Sequence, residues 1–118
     1  LLHAYIIYDI CKIIGVLLDN AIEACERIHS NSEKTIVISC LCNSGFMFLS
    51  ISNPVKEDVE IYGSTIATSK KDKTMHGYGL YSLNKTVQHL DGTLNLSCKN
   101  KIFKVEIDLS LKGSYIYS

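Results

Sequence analysis

The chain has 118 residues, of which 47% are hydrophobic, and its 12 lysine and arginine residues balance 12 aspartate and glutamate residues. This length suits one compact domain with a buried core. The zero net charge gives no electrostatic reason to expect DNA, RNA or an anionic membrane as the main partner, so no nucleic-acid partner is predicted.

The five cysteines indicate free thiols and not a disulfide framework or a zinc knuckle, because their number is odd and none forms a CxxC pair. Cys40 and Cys42 are two apart in a predicted strand and share one face, so we expect both in the core. Free thiols are typical of a reducing cytosol. No stretch has the length of a membrane span. The chain starts without methionine, and we expect a fragment of a larger protein.

A first helix is predicted to begin at Asp9, which is a good N-cap; residues 1–8 are ambiguous, and we favour an extended conformation there. Apolar residues then recur at spacings of three and four, and the helix is expected to end near residues 29–31. The predicted apolar face comprises Ile10, Ile13, Ile14, Leu17, Ala21, Ala24 and Ile28.

The next residues predict a hairpin and then a long loop. Strands over residues 35–42 and 46–53 are rich in β-branched and aromatic residues, and Pro54 closes the second one. The charged segment 55–75 has little periodicity. A loop of this length inside a compact domain is either functional or disordered.

A second helix and a second hairpin complete the chain. The helix follows Gly79, buries Leu80, Leu83, Val87 and Leu90, and ends at Asp91-Gly92. Strands over residues 93–98 and 102–111 follow, the last with strict alternation of inward apolar and outward polar residues. The order helix, hairpin, loop, helix, hairpin predicts an α+β fold, a two-layer sandwich with helices on one face of the sheet. No repeat or second domain is visible, so residues 1–118 are predicted to be one domain.

The first candidate for chemistry is the trio Asp19, Asn20 and Glu23 in the first helix. Asn is a mediocre helix former, and like charges four residues apart repel mildly. An Asn oxygen is a hard ligand that Mg²⁺ accepts, and a nearby carboxylate can order metal-bound water. The alternative is an ordinary solvated polar face.

The second candidate is the segment His76-Gly77-Tyr78-Gly79-Leu80, which opens the second helix. Glycines let the backbone approach a phosphate, and a helix N-terminus offers unpaired N–H groups and partial positive charge. Structural glycines in a tight loop would give the same pattern. Upstream, Lys70 could neutralise a γ-phosphate, or it could be a solvated loop lysine. Asn53, before Pro54, could accept a hydrogen bond from an adenine amino group, or it could be part of an ordinary turn.

The order of these signals resembles the Bergerat-fold (GHKL) ATPases, the superfamily of gyrase B, MutL, the heat-shock-protein ATPases and histidine kinases. Within it the chain looks most like the AgrC-like peptide-pheromone sensor kinases. Residues 9–24, ending in Leu-Asp-Asn-Ala-Ile-Glu-Ala, look like the N box. Thr68-Ser69-Lys70 and His76-Gly77-Tyr78-Gly79-Leu80 look like the lid and the G2 box. The resemblance covers about residues 9–110.

The resemblance implies a role for each of these residues and a mixed, mostly antiparallel sheet. Asn20 matches the Mg²⁺ ligand, and Gly77 and Gly79 match the glycines that cradle the phosphates of ATP. Lys70 is similar to a lid lysine, with a lid over about residues 54–76, and Asn53 stands where the family has an adenine-reading Asp. Many relatives have Glu or Asn four residues before the metal asparagine. Here that position is Val16, so any base must be Asp19 or Glu23.

The function implied is that of the ATP-binding catalytic domain of a sensor histidine kinase. The γ-phosphoryl group of Mg·ATP would pass to a histidine on a separate dimerisation helix and then to a response regulator. The parent protein would be a homodimer in a bacterial inner membrane with this domain in the cytoplasm, and the fragment alone could be monomeric. Two alternatives are a non-catalytic interaction module of the same fold and a serine kinase of the anti-sigma type.

Overall fold

The computed structural model describes residues 2–29, 34–58, 60–62, 65–67 and 78–110. Its elements, in chain order, are two helices and six strands. They are α1 (Leu2–Glu26), β1 (Val37–Asn43), β2 (Phe46–Pro54), β3 (Glu60–Tyr62), β4 (Thr65–Ala67), α2 (Tyr78–His89), β5 (Thr93–Lys99) and β6 (Ile102–Ser110).

The predicted α+β sandwich is confirmed. Four strands form a sheet in the order β1-β2-β6-β5, and all its pairings are antiparallel. The two predicted hairpins, β1-β2 and β5-β6, are joined through β2 and β6, so the last of the described strands lies inside the sheet. Strands β3 and β4 form a separate two-stranded sheet.

The core lies between one face of the sheet and both helices. Strand β6 alternates as predicted, since Phe103, Val105, Ile107 and Leu109 are buried and the residues between them are more exposed. Ile13, Leu17 and Ala21 of α1 and Leu80, Leu83 and Val87 of α2 cover this face. At about 1.5–3 kcal/mol for each fully buried large apolar side chain, this layer is the main source of stability.

Tight turns connect the strands of both hairpins, and a backbone hydrogen bond ends α2 before β5. Ser44 and Gly45 have φ of 53° and 81°, and Asn100 and Lys101 have φ of 55° and 62°. Positive φ at both central residues is the geometry of a type I′ turn, whose twist matches that of the strands. At the end of α2, the Gly92 N–H donates to the Val87 carbonyl at 2.9 Å and closes the helix.

Three sequence-based expectations about the elements are wrong. The first helix begins at Leu2, so Asp9 lies inside it and is not its N-cap, and it ends at Glu26, before the predicted region of residues 29–31. No glycine or proline stands between residues 2 and 9 to stop the helix from extending. The predicted loop 55–75 contains the short strands β3 and β4.

The prediction that Cys40 and Cys42 lie in the core is also wrong, since both are exposed. They do share the helix-side face of the sheet, because they pair with Leu49 and Met47. However, β1 is an edge strand, and all seven of its residues are exposed. The described parts of the helices cover the inner strands and leave this edge open.

Candidate functional site

Asn20 of α1 lies against the start of α2. A Cβ placed on Gly79 would be 3.5 Å from Asn20 Oδ1 and 3.6 Å from Asn20 Nδ2. These are ordinary van der Waals distances, so packing alone would tolerate a small side chain at Gly79. Two segments that are far apart in sequence therefore meet, with a bare backbone on one side and an amide on the other.

The amide of Asn20 is not satisfied within the part of the chain that the structure describes. Its Nδ2 is buried and has no hydrogen-bond partner there. Burying an unpaired donor costs about 1–3 kcal/mol. A buried polar atom without a partner requires an explanation, and one accepted explanation is a ligand that supplies the missing hydrogen bond.

The first turn of α2 lies beside this amide, at Gly79. Its first-turn N–H groups have no partners within the helix, and the first turn contains no acidic residue. The helix dipole gives this end a partial positive charge, which would favour an anion. Leu80 is 2% exposed and packs in the core, so only its backbone N–H could contribute to a site. The Leu80 side chain instead holds the start of the helix in place.

The carboxylates of α1 are placed unequally around Asn20. Val16, one turn earlier, would have its Cγ1 3.8 Å from a Cβ on Gly79, so an aliphatic group stands beside the Asn20 amide on this side of α1. Glu23 is three residues after Asn20, on the same side of the helix, and is half-buried. Asp19 is rotated away by about 100° and is exposed. Of the two candidates, Glu23 lies nearer to the Asn20 face.

Asn53 is buried at the end of β2. It is 4% exposed, and it is the one fully buried polar residue among those described. Its Nδ2 donates to the Pro54 carbonyl at 2.9 Å. This bond uses one of the two N–H donors of the amide and fixes its orientation, whereas the predicted adenine contact requires the amide oxygen.

Three candidate residues, Lys70, His76 and Gly77, lie outside the described residues, as does most of the predicted lid. For Tyr78 only the backbone, which starts α2, is described. Within the described ranges, no three His, Cys, Asp or Glu side chains converge as metal ligands. None of the described helices combines the length and hydropathy that crossing a membrane requires.

One positioning residue was missed by the sequence reasoning. Asp58 Oδ1 accepts a hydrogen bond from the Lys101 backbone N–H at 2.6 Å, and the Cys98 thiol lies 3.8 Å away. The Val55 N–H donates to the Lys101 carbonyl at 3.0 Å. The chain leaving β2 is thus held to the β5-β6 turn. The sequence offers little signal for this contact, because Asp58 is one of several charged residues in its segment.

Comparison with known proteins gives the family and the fold. The GHKL domain family matches residues 6–110. The fold is similar to the histidine kinase AdeS of Acinetobacter baumannii, with TM-score 0.62 and 20% identity over 90% of this chain and 47% of that one. It is also similar to the histidine kinase domain of a blue-light activated histidine kinase of Erythrobacter litoralis, with TM-score 0.62 and 16% identity over 87% of this chain and 43% of that one. The chain thus spans less than half of either structure. The curated proteins contain no match.

Proposed function

The chain belongs to the GHKL domain family, and on that premise we propose that it is the ATP-binding catalytic domain of a sensor histidine kinase. It would transfer the γ-phosphoryl group of ATP to a histidine on a separate helix. The single domain over residues 1–118, the lid over about residues 54–76 and the individual site residues are part of the same proposal.

One observation carries the proposal: the buried Asn20 Nδ2, which has no hydrogen-bond partner among the described residues, lies against the start of α2 at Gly79. A polar ligand between them would satisfy both groups. Backbone N–H groups at Gly79 and Leu80 would bind phosphate oxygens. Binding energy from these groups positions the phosphoryl donor, which is most of what phosphoryl transfer to a nucleophilic imidazole requires.

Asn20 also fits a Mg²⁺ site of the expected kind. Mg²⁺ usually keeps several waters and takes one or two protein oxygens plus substrate phosphates. A single amide oxygen at Asn20 suits that pattern. When bound, the ion would neutralise phosphate charge. Glu23, half-buried on the same side of α1, would orient water or accept a proton, while Asp19 is the more exposed alternative.

Asn53 would read the adenine. One of its two N–H donors is bonded to the Pro54 carbonyl, which orients the amide, and its oxygen could accept the N–H of the adenine amino group. A neutral amide replaces the usual carboxylate here, so this contact should be weaker than a charge-assisted one. Lys70, His76, Gly77 and Tyr78 would complete the phosphate side and the lid.

The finer assignment is to the AgrC-like pheromone sensor kinases, and it rests on the sequence around Asp19-Asn20-Ala21-Ile22-Glu23-Ala24. It implies a quorum-sensing role, a membrane-bound parent homodimer, a cytoplasmic location for this domain and a response regulator as the next phosphate acceptor. The histidine kinases with the same fold support the acceptor helix as a partner.

Calorimetric titration with Mg·ADP tests the binding step. The chain should bind, and Asn20→Ala should weaken binding at least about tenfold, or about 1.4 kcal/mol. Asn95→Ala is a matched control, because Asn95 is exposed on the opposite face of the sheet. Equal binding by all three proteins would remove Asn20 from the site. Phosphoryl transfer is then tested by adding γ-labelled ATP and the acceptor-helix segment of the parent protein without its own catalytic domain, with acid-labile, alkali-stable label on histidine as the expected product.

A second candidate is a non-catalytic interaction module of the same fold. The observation that favours it is Val16, whose methyl group lies near Gly79 where a polar residue would serve catalysis. In that case Mg·ADP binding would be absent or millimolar and would not change in Asn20→Ala. Val16→Asn would then be expected to leave both results unchanged, whereas in a working kinase it should alter the transfer rate.

A further inference from the structure

The face of the sheet away from the helices presents a polar row across all four strands. Because Leu49 and Ile51 of β2 point into the core, Phe48 and Ser50 point to the opposite face. The strand registers place Ser39 opposite Ser50, Ser50 opposite Glu106, and Glu106 opposite Asn95. These four outward residues form the floor of a shallow groove.

A row of larger residues borders this floor. Leu41 lies opposite Phe48, and Phe48 lies opposite Asp108. Leu41 is 59% exposed and Phe48 is 45% exposed. Together the two rows enclose about 280 Å³. This is below the roughly 300–1,000 Å³ of sites that enclose a small molecule, and it suits one or two side chains of a larger partner.

The groove is acidic beside its aromatic residue. Asp108 is held in place by the Thr93 N–H, which donates to its Oδ1 at 3.0 Å. The Glu106 side chain is 54% exposed, and its ion pair among the described residues is a loose one with Lys104, at 3.8 Å. Exposed pairs of this kind contribute little, so a better-matched cation can displace Lys104. Phe48 next to Glu106 and Asp108 therefore combines a ring face with two carboxylates.

Arginine is the side chain that matches both features. Its planar guanidinium stacks on aromatic rings and binds carboxylates through a fork of donors, whereas lysine is a hydrated point charge. We propose that the outer sheet face binds a polypeptide segment of another protein in which an arginine is flanked by apolar residues. The guanidinium lies over Phe48 and bonds to Glu106, and a flanking apolar residue packs on Leu41.

A second copy of this chain is a poor source of that arginine. The chain contains one arginine, Arg27, which is half-buried and already interacts within the fold. The surface is also on the opposite side of the sheet from Asn20 and Gly79, so its occupant leaves the nucleotide site open. The inference is independent of the proposed kinase activity.

Titration of the ¹⁵N-labelled chain with the capped peptide acetyl-Leu-Arg-Leu-amide tests this site. Saturable shift changes are expected at the amides of residues 48–50 and 106–108. A matched peptide with citrulline in place of arginine should bind roughly two- to fivefold more weakly, as should Glu106→Gln with the arginine peptide. Phe48→Ala should also weaken binding, and Glu26→Gln, an exposed carboxylate on α1, should not.

Three outcomes would overturn the proposal. The first is that the shift changes map elsewhere or do not saturate, and the second is that the arginine and citrulline peptides bind with equal affinity. The third is that the same amides shift with protein concentration when no peptide is present, which would identify a second copy of the chain as the occupant. Nucleotide affinity of Glu106→Gln should equal that of the unmodified chain, and this separates failure here from failure of the proposed function.

Discussion

Asn20 has a buried amide nitrogen without a partner among the described residues, and this has a consequence for stability. Leaving such a donor unpaired costs about 1–3 kcal/mol. Asn20→Ala removes the donor, so the free energy of unfolding without nucleotide should stay the same or rise by up to about 1 kcal/mol, while Mg·nucleotide affinity falls. Urea denaturation with and without Mg·ADP measures both. A loss of stability in the nucleotide-free protein would show that the amide serves the fold instead.

Cys40 gives a prediction about thiol chemistry. Although the residue is exposed, partial desolvation raises the pKa of its thiol, and the neighbouring Cys42 thiol raises that pKa further. Because the thiolate is the reactive form, Cys40 should be alkylated at pH 8 more slowly than a free cysteine peptide, and Cys42→Ser should speed the reaction. Iodoacetamide labelling followed by peptide mass spectrometry measures this. A rate equal to that of the free peptide would contradict it.

For individual residues, the sequence predicted which side chains belong to the candidate site better than it predicted their burial and their contacts. The approach of Asn20 to Gly79 followed from the resemblance, but the burial of the amide nitrogen did not, because it depends on how the helices pack. Asp58 was not predicted, since its partner is a backbone N–H more than forty residues away. Cys40 was expected in the core because a strand pattern does not reveal which strand is at an edge.

Substitution of glycine by alanine is expected to have opposite effects on stability at Gly92 and at Gly15. A Cβ on Gly92 would lie 2.3 Å from the Asp108 carbonyl oxygen and 2.6 Å from Leu109 Cδ2. Gly92→Ala should therefore destabilise the fold by about 1–3 kcal/mol or more. Gly15 lies inside α1 with nothing within 4 Å of its Cβ position. Gly15→Ala should stabilise by roughly 0.5–1 kcal/mol. Thermal and urea denaturation of both variants provide the comparison, and changes of equal sign would contradict it.

Asp58 ties the segment after β2 to the β5-β6 turn, and this contact can be tested by hydrogen exchange. Asp58→Ala removes the acceptor of the Lys101 N–H. That amide should exchange faster, and stability should fall by about 0.5–1.5 kcal/mol. Glu57→Ala, at the exposed neighbouring position, is the control. Unchanged exchange at Lys101 in Asp58→Ala would show that the bond does not anchor the segment.

Hydrophobic periodicity predicted most of the elements, since α2, both hairpins and the alternation of β6 are as expected. The boundaries of α1 were wrong because a good capping residue at Asp9 does not compel a helix to start there when the preceding residues are also compatible with a helix. Strands β3 and β4, three residues each, are too short for any alternation to appear. The pairing of β2 with β6 could not be predicted from the local sequence pattern either, because these strands are far apart in the sequence.

At the scale of the whole molecule, a nucleotide should stabilise the fold. A ligand that bridges α1 and α2 binds only when both helices are packed, so Mg·ADP at 100 times its dissociation constant should add about 2.7 kcal/mol to the free energy of unfolding. Thermal denaturation should show a higher midpoint with Mg·ADP, and Asn20→Ala, which is expected to bind at least about tenfold more weakly, should show a clearly smaller shift. An equal shift in Asn20→Ala would place the nucleotide elsewhere.

Strand β6 pairs with β2 on one side and β5 on the other, although it comes last among the strands that the structure describes. On the ribosome, the first hairpin therefore emerges long before the strand that pairs with its inner edge. Until then the helices lack the complete sheet face against which they pack. Domains generally fold as units during synthesis. Here the sheet can be completed only when residues 102–110 have left the exit tunnel, and the apolar face of the first hairpin stays exposed until then.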